Sequence, residues 1–270
     1  MGDAQHLRKP GETGPQLVRR RGAAWWGSLR YNVSFWWVMV VDLVLWATVH
    51  NQAWYPDDFY PATAELERNW PAIRAELDAV LDGVEDLPTF QEVDHAQRRV
   101  SDDDRWRLFI LRFVGQDNEG NRSRCPITSS LVDQVPGMWT AMFSVLAPGK
   151  TTPWHSGGIK GVLRYHLGMI IPDEQACTMQ IFRHGRRQWR EGRSLVFDDT
   201  YLHRAANPTD RTRVVLWLDI ERPIDRPRIA RLNRWCLRRM ASSDRLARAI
   251  DNATVDTSAV AQVGLPSHLA

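Results

Sequence analysis

Val162-Leu163-Arg164-Tyr165-His166-Leu167-Gly168 decides the fold. Its residues alternate with period two, the side-chain period of a β-strand and not of a helix. Arg164 and His166 fall on one face with Val162 and Gly168, while Leu163, Tyr165 and Leu167 fall on the other. An inward-facing arginine in an otherwise apolar strand needs an anionic partner. That partner is either a protein carboxylate (Asp198, Asp199 or Asp219) or the carboxylate of a ligand.

Outward from this strand, the spacing predicts short strands over 106–114, 140–147, 161–171, 177–183, 193–197 and 213–221. Turn residues separate them: Pro148-Gly149, Gly157-Gly158, Pro172-Asp173, His184-Gly185, Glu191-Gly192 and Asn207-Pro208. Many short strands at such intervals predict a mainly β protein, a sandwich or jelly roll and not a series of βαβ units.

Two histidines bracket the opening stretch, His155 in Trp154-His155-Ser156-Gly157 and His203 at the end of Phe197-Asp198-Asp199-Thr200-Tyr201-Leu202-His203. Two neutral imidazoles can bind a mid-row divalent metal. Arg213 follows His203 by ten residues and opens the apolar run Val214-Val215-Leu216-Trp217-Leu218. A guanidinium presents parallel N–H donors that match a carboxylate better than lysine does. A metal pair beside Arg164, His166 and Arg213, on a strand-rich scaffold, points to an Fe(II)/2-oxoglutarate oxygenase that clamps its dicarboxylate. Asp199, four residues before His203, is a metal ligand or an acceptor that orients a histidine.

The flanks have other periods. Leu66, Trp70, Ile73, Leu77, Val80 and Leu81 recur at helical steps over 63–82; Pro71 opens a second helical piece and Gly83 is the expected C-cap. The acidic stretch 84–104 reads as loop, and Pro126–Val135 as a short helix capped by Thr128 or Ser129. Residues 33–49 are almost wholly apolar, at the lower edge of a span, with Asp42 at the centre. Basic residues before the run and tryptophans on both sides suit an interface anchor; the alternative is a buried helix packed on the main domain. Residues 226–250 read as a basic amphipathic helix with Ile229, Leu232, Trp235, Cys236 and Met240 along one side.

The 270 residues and 43% hydrophobic content allow one globular domain with appendages. Boundaries are expected at 1–22 (a disordered basic N-terminus), 23–60 (an apolar, Trp-rich membrane-associating segment), 61–104 (a helical lead-in), 105–223 (the β domain) and 224–270 (the basic helix and a disordered tail). Net charge is +3, with arginines crowded at both ends. Basic ends suit an anionic surface; no nucleic-acid motif appears, so a membrane surface is the expected partner. Three widely spaced cysteines give neither a disulfide framework nor zinc spacing, which fits a reducing compartment: the cytoplasm or the cytoplasmic side of a membrane.

From about Trp139 to Pro223 the chain resembles the aspartyl/asparaginyl β-hydroxylase family of 2-oxoglutarate oxygenases. The resemblance is carried by Phe143-Ser144, Pro148-Gly149, His155, Arg164-Tyr165-His166-Leu167-Gly168, Trp189, Glu191-Gly192, Phe197-Asp198-Asp199, His203, Arg213 and Asp219. A looser likeness, in the N-terminal apolar run, Asn69-Trp70, Trp106–Gly115, Arg222-Pro223 and Asn233-Arg234-Trp235, is to the bacterial lipid A 2-hydroxylase-like branch, which hydroxylates lipid acyl chains. The resemblance implies a double-stranded β-helix, a jelly-roll or cupin-like core with helices at both ends. It implies that His155 and His203 bind Fe(II), that Ser144, Arg164, His166 and Arg213 hold 2-oxoglutarate, and that O2 is consumed. Many oxygenases of this fold carry a carboxylate two residues after the first histidine, as the lipid branch tends to; here that residue is Gly157. The protein-hydroxylating branch lacks that acid and uses water. Gly157 therefore points toward a peptide substrate, whereas the looser likeness, the Trp-rich apolar run and the basic tail make a lipid acyl chain the expected one; the alternatives are aspartyl or asparaginyl residues of a peptide, a small amino-acid-derived molecule, or no reaction at all in a cupin-like metal-binding module.

Overall fold

Two antiparallel sheets face each other in the computed structural model, which describes residues 36–93 and 103–242. The larger holds β1 (Trp106–Phe113), β2 (Gln116–Asp117), β3 (Met138–Leu146), β4 (Val162–Ile170), β7 (Ser194–Phe197) and β9 (Arg213–Glu221). Their spatial order is β2-β1-β3-β9-β4-β7. The smaller holds β5 (Thr178–Ile181), β6 (Gly185–Gln188) and β8 (His203–Ala206), in the order β6-β5-β8. Residues 151–155 run along the free edge of β8: Thr151 bridges Ala206, and Thr152 donates to the Ala205 carbonyl at 2.9 Å. From β3 onward the chain therefore alternates between sheets. It passes through β3, then 151–155, then β4, then the β5–β6 hairpin, then β7, β8 and β9. That winding is a double-stranded β-helix, as the resemblance implied.

The central strands β3 and β9 are buried along nearly their whole length, because each face of the large sheet is covered. One face carries Phe143, Val145, Leu163, Tyr165, Leu167, Leu216 and Leu218 against the helices. These include α2 (Ala64–Arg68), α3 (Trp70–Leu81) and α6 (Pro126–Asp133). The other face turns Ser144, Arg164, His166, Arg213 and Trp217 toward the small sheet, following the period-two alternation. The edge of β7 is covered: Tyr55 donates to Val196, and Asp198 donates to Ala53. No open edge remains there for another chain to pair with.

A helix over 36–48, here α1, packs through Val41 and Leu45 onto Cys236 of α7 (Pro227–Ala241). Asp42 turns inward, and its carboxylate accepts the Lys160 backbone N–H at 2.9 Å. Burial pushes the Asp42 carboxyl up to about 6. No described helix is long and apolar enough to cross a membrane. The expected disorder of 1–22 and of 251–270, and the expected continuation of the basic helix from 243 to 250, lie outside the described residues.

Several local expectations are corrected. The cap of α3 is Asp82, not Gly83, whose φ of −119° is ordinary; the chain turns at once into a 3-10 turn at Val84–Asp86. The expected loop also holds α4 (Phe90–Val93). Cys125, not Thr128 or Ser129, precedes α6, and the Glu76 carboxylate accepts the Ile127 and Thr128 N–H groups. A carboxylate from α3 thus does the capping from outside. Strands β6 and β8 were not expected.

Gly168 marks a close approach. A Cβ there would collide with the Arg190 carbonyl, which belongs to a backbone crossing β4. Gly168→Ala is predicted to destabilise the fold by about 2 kcal/mol, read as a lowered urea midpoint; an unchanged midpoint would show that this crossing has slack.

Candidate metal and carboxylate site

His155 and His203 are paired across the edge of the small sheet. The His155 N–H donates to the His203 carbonyl at 3.0 Å and the His203 N–H to the His155 carbonyl at 2.8 Å. Directly opposed residues of an antiparallel pair project to the same side, and the ring centroids lie 4.3 Å apart. Each ring is held in the same way: Nδ1 of His155 lies 2.8 Å from the Pro153 carbonyl, and Nδ1 of His203 lies 2.8 Å from the Tyr201 carbonyl. A carbonyl only accepts, so each Nδ1 carries the proton and each Nε2 keeps its lone pair. Burial lowers the pKa of His155 and pushes His203 down to about 3, with the neighbouring His155 adding to the shift. Both rings are therefore neutral and able to bind a metal at neutral pH.

The inner face of the large sheet supplies hydrogen-bond donors. The Arg213 side chain is fully buried over the Trp189 ring, 4.5 Å from its centroid. Its Nε and Nη1 find no hydrogen-bond partner. Burial lowers its pKa to about 10, so the guanidinium stays charged at neutral pH. His166 accepts a hydrogen bond from Trp189 Nε1 on Nδ1 at 3.3 Å, which puts the proton of the neutral ring on Nε2. That Nε2 is also buried without a partner. Burial, with Arg164 and Arg213 nearby, holds His166 well below its usual pKa. Ser144 Oγ accepts from Trp106 Nε1 at 3.0 Å, and its hydroxyl hydrogen stays free to donate. A buried charge without a counter-ion costs several kcal/mol. Donors left without acceptors fit a bound carboxylate, so this set suits 2-oxoglutarate.

Arg164 differs. It forms ion pairs with Asp199 at 2.8 Å and Asp219 at 3.0 Å and lies 3.9 Å over the Trp217 ring. The protein-carboxylate reading thus describes its partners, and no free guanidinium is offered there. Burial pushes the Asp199 carboxyl up to about 6 against the pull of Arg164. Asp199 Oδ1 is buried and unpartnered. Its carboxylate fills the room that a side chain at Gly157 would need, since a Cβ at 157 would collide with it. Among the described residues, no group of three or more His, Cys, Asp or Glu side chains is arranged to hold a metal. A metal here would have two protein ligands, with Asp199 beside them.

All six expected residues (Ser144, His155, Arg164, His166, His203 and Arg213) lie in one neighbourhood. Phe197 links them, with ring contacts of 5.1 Å to His166 and 5.8 Å to His203. Sequence reasoning gave no site role to the tryptophans that serve them, although Trp189 is among the residues that carry the resemblance: Trp106 on Ser144, Trp189 on His166 and Arg213, and Trp217 under Arg164. For Trp217 a signal existed, since it lies four residues from Arg213 on one strand and so shares its face. A separate cleft of about 580 Å³ is lined by Asp57, Glu67, Arg187 and Arg193 among others. Two ion pairs lie within it, Arg187 with Asp57 and Arg193 with Glu67.

Comparison with known proteins adds the lineage. The family model described as aspartyl/asparaginyl beta-hydroxylase matches residues 67–223. A Rhizobium tropici protein named ornithine lipid ester-linked acyl 2-hydroxylase is 42% identical over 196 residues, which cover 73% of this chain and 69% of that one. Human aspartyl/asparaginyl beta-hydroxylase is 30% identical over 177 residues, covering 63% of this chain and 22% of the human protein; the match spans about a fifth of that relative. Among solved structures, a Cupin 2 conserved barrel domain protein from Salinispora arenicola overlaps 53% of this chain and 92% of its own, at 15% identity and a TM-score of 0.30. At that score the fold assignment rests on the strand order of this chain alone.

Depressed imidazole pKa values have a direct consequence. Two ordinary histidines would lose about tenfold in metal affinity between pH 7.5 and pH 6 through protonation. Here the rings stay neutral, so Co(II) affinity measured by calorimetry is predicted to change less than about threefold over that interval. A full tenfold loss would show that burial does not protect the pair.

Proposed function

This chain belongs to the aspartyl/asparaginyl β-hydroxylase family, and from that premise we propose that it is an Fe(II)- and 2-oxoglutarate-dependent oxygenase that hydroxylates an acyl chain of an amphiphilic lipid. The observation that carries the co-substrate is the buried Arg213 guanidinium with unpartnered Nε and Nη1. Fe(II) would be held by Nε2 of His155 and His203, and 2-oxoglutarate by Arg213, His166 and Ser144. When bound, they supply activation of O2, which couples decarboxylation of the oxoacid to insertion of one oxygen atom into a C–H bond.

The chain's own residues do the rest. The two carbonyls at Pro153 and Tyr201 hold the imidazoles in the metal-binding tautomer. Arg213 would neutralise a carboxylate in a site walled by the buried Trp189 ring, where charge pairing is strong. Arg164, balanced between Asp199 and Asp219, acts as a positioning residue for the Asp199 carboxylate. The unpartnered Asp199 Oδ1 would be free to accept a hydrogen bond from a water near a bound metal. The position at Gly157 no longer weighs against a lipid substrate, because the carboxylate of Asp199 occupies that space. The lipid reading is supported by the 42% identity to a protein named as an acyl 2-hydroxylase of ornithine lipid.

Two experiments test this. Arg213→Met removes an uncompensated charge, so the variant is predicted to melt higher than wild type in plain buffer, while losing the stabilisation that 2-oxoglutarate gives wild type. The same substitution raises the 2-oxoglutarate requirement far more than the Fe(II) requirement. Equal effects on both would remove Arg213 from the co-substrate site. For the substrate, the full chain is incubated with Fe(II), ascorbate, 2-oxoglutarate and ornithine lipid. Succinate release with a gain of one oxygen in the acyl chain is expected. Oxygenation of an aspartyl or asparaginyl peptide in place of the lipid would overturn the lipid assignment and leave the oxygenase intact.

A further inference from the structure

We propose that α1, α7 and the exposed rim of the small sheet form one docking face whose occupant is the surface of an anionic lipid bilayer. The face includes Trp154 and Leu202, the chain neighbours of His155 and His203, so docking would bring the small sheet that carries the histidine pair against the membrane. This names how the substrate reaches the site and so rests on the lipid reading above; bilayer binding needs no turnover, however, and the two ideas fail separately.

The distribution of exposed apolar surface carries the argument. Every large apolar side chain that is strongly exposed among the described residues, except Ile127 on α6, lies on this face. Leu43, Trp36 and Trp37 on α1 are 71%, 63% and 51% exposed. Leu43 and Trp36, seven residues apart, lie opposite the side that buries Val41 and Leu45, and Trp37 flanks that buried stripe. The helix is amphipathic in an unusual sense: its one acidic residue, Asp42, is turned into the protein against Lys160, and its apolar side is turned out. Exposed apolar surface of this extent marks an interaction site.

The face is continuous, as ring contacts show. Trp37 meets Trp235 edge-on at 5.8 Å, which joins α1 to α7. Trp46 meets Tyr201 at 5.7 Å, which joins α1 to the loop that leads into His203. From there the Leu202 carbonyl accepts the Phe182 N–H at 2.8 Å, and Phe182 meets Trp154 at 5.9 Å. Leu202 and Trp154 are the residues immediately before His203 and His155. The exposed apolar band therefore reaches the two segments that carry the histidine pair.

Charge selects the occupant. Helix α7 carries five arginines and no acidic residue over Pro227–Ala241. Arg228, Arg231, Arg238 and Arg239 make no ion pair among the described residues and are exposed. Arginine also flanks the rim, where Arg204 lies 4.7 Å over Trp154 and Arg183 lies 5.3 Å over Phe182. Tryptophan interleaved with unpaired arginine, on helices lying along a surface, is the chemistry of an interfacial anchor on anionic lipid. An apolar protein partner would leave those arginines without counter-charge.

The test is sedimentation of the full chain with phosphatidylcholine vesicles, with and without phosphatidylglycerol. Binding is expected to the anionic vesicles, weaker as salt rises. Leu43→Glu is expected to weaken it about tenfold or more. Arg231→Gln and Arg238→Gln should each weaken it about fivefold, whereas Ile127→Glu should leave it unchanged. Circular dichroism of each variant confirms that the fold is kept. Failure of the full chain to sediment with anionic vesicles overturns the proposal. So does unchanged binding by Leu43→Glu, which would assign binding to segments outside this face. Loss of a dimer in Leu43→Glu, read by light scattering, with vesicle binding unaltered, would make a second copy the occupant and equally overturn it.

Discussion

The candidate site depends on one backbone pairing, the antiparallel bridge between His155 and His203. Neither residue is in a long strand, and 48 positions separate them in the chain. The reciprocal N–H to carbonyl bonds set both rings on one side of the small sheet. The carbonyls two residues earlier then set both tautomers. A register slip of one residue would turn one ring to the opposite face. Much of the surrounding architecture protects that register: residues 151–155 lie along β8, β8 pairs with β5, and the whole small sheet is packed over Trp189, Trp217 and Phe197.

Two arginines on the inner face of the large sheet meet different fates, and register explains why. Arg164 stands directly opposite Asp219 on the neighbouring strand, so the protein supplies its counter-charge. Arg213 stands opposite Leu146, which supplies none. One guanidinium is thereby consumed in positioning Asp199, and the other is left for a ligand. The apolar walls raise the cost of leaving Arg213 alone and equally raise the gain when an anion arrives. On the proposed reading, affinity for a dicarboxylate would come from this imbalance between the two guanidinium groups. On the same proposals, the exposed aromatic surface of α1, α7 and the rim of the small sheet would serve an amphiphilic substrate.

Much of this was legible in the sequence. Strands β3, β4 and β9 declare themselves through period-two alternation, and the shared face of Arg164 and His166 follows from it. Strands β6 and β8 were not legible: Gly185-Arg186-Arg187-Gln188 is polar, largely exposed and held by pairing, and in His203-Arg204-Ala205-Ala206 the alternation of buried His203 and Ala205 is too short to read. The partners of Arg164 were foreseen as one of two alternatives, and only register across strands decides between them. The cap of α6 could not be read, because Glu76 reaches it from another helix. In the apolar run of 33–49, Asp42 was the informative residue; its inward seat accounts for a helix that packs on the domain through one side only.

The central claim is that Nε2 of His155 and Nε2 of His203 share one metal ion. Anomalous diffraction from a crystal soaked with Mn(II) tests it most directly. The account predicts a single strong peak bonded to both Nε2 atoms at about 2 Å, with Nδ1 still on the Pro153 and Tyr201 carbonyls. A peak bonded through Nδ1, or one located away from either histidine, would contradict it.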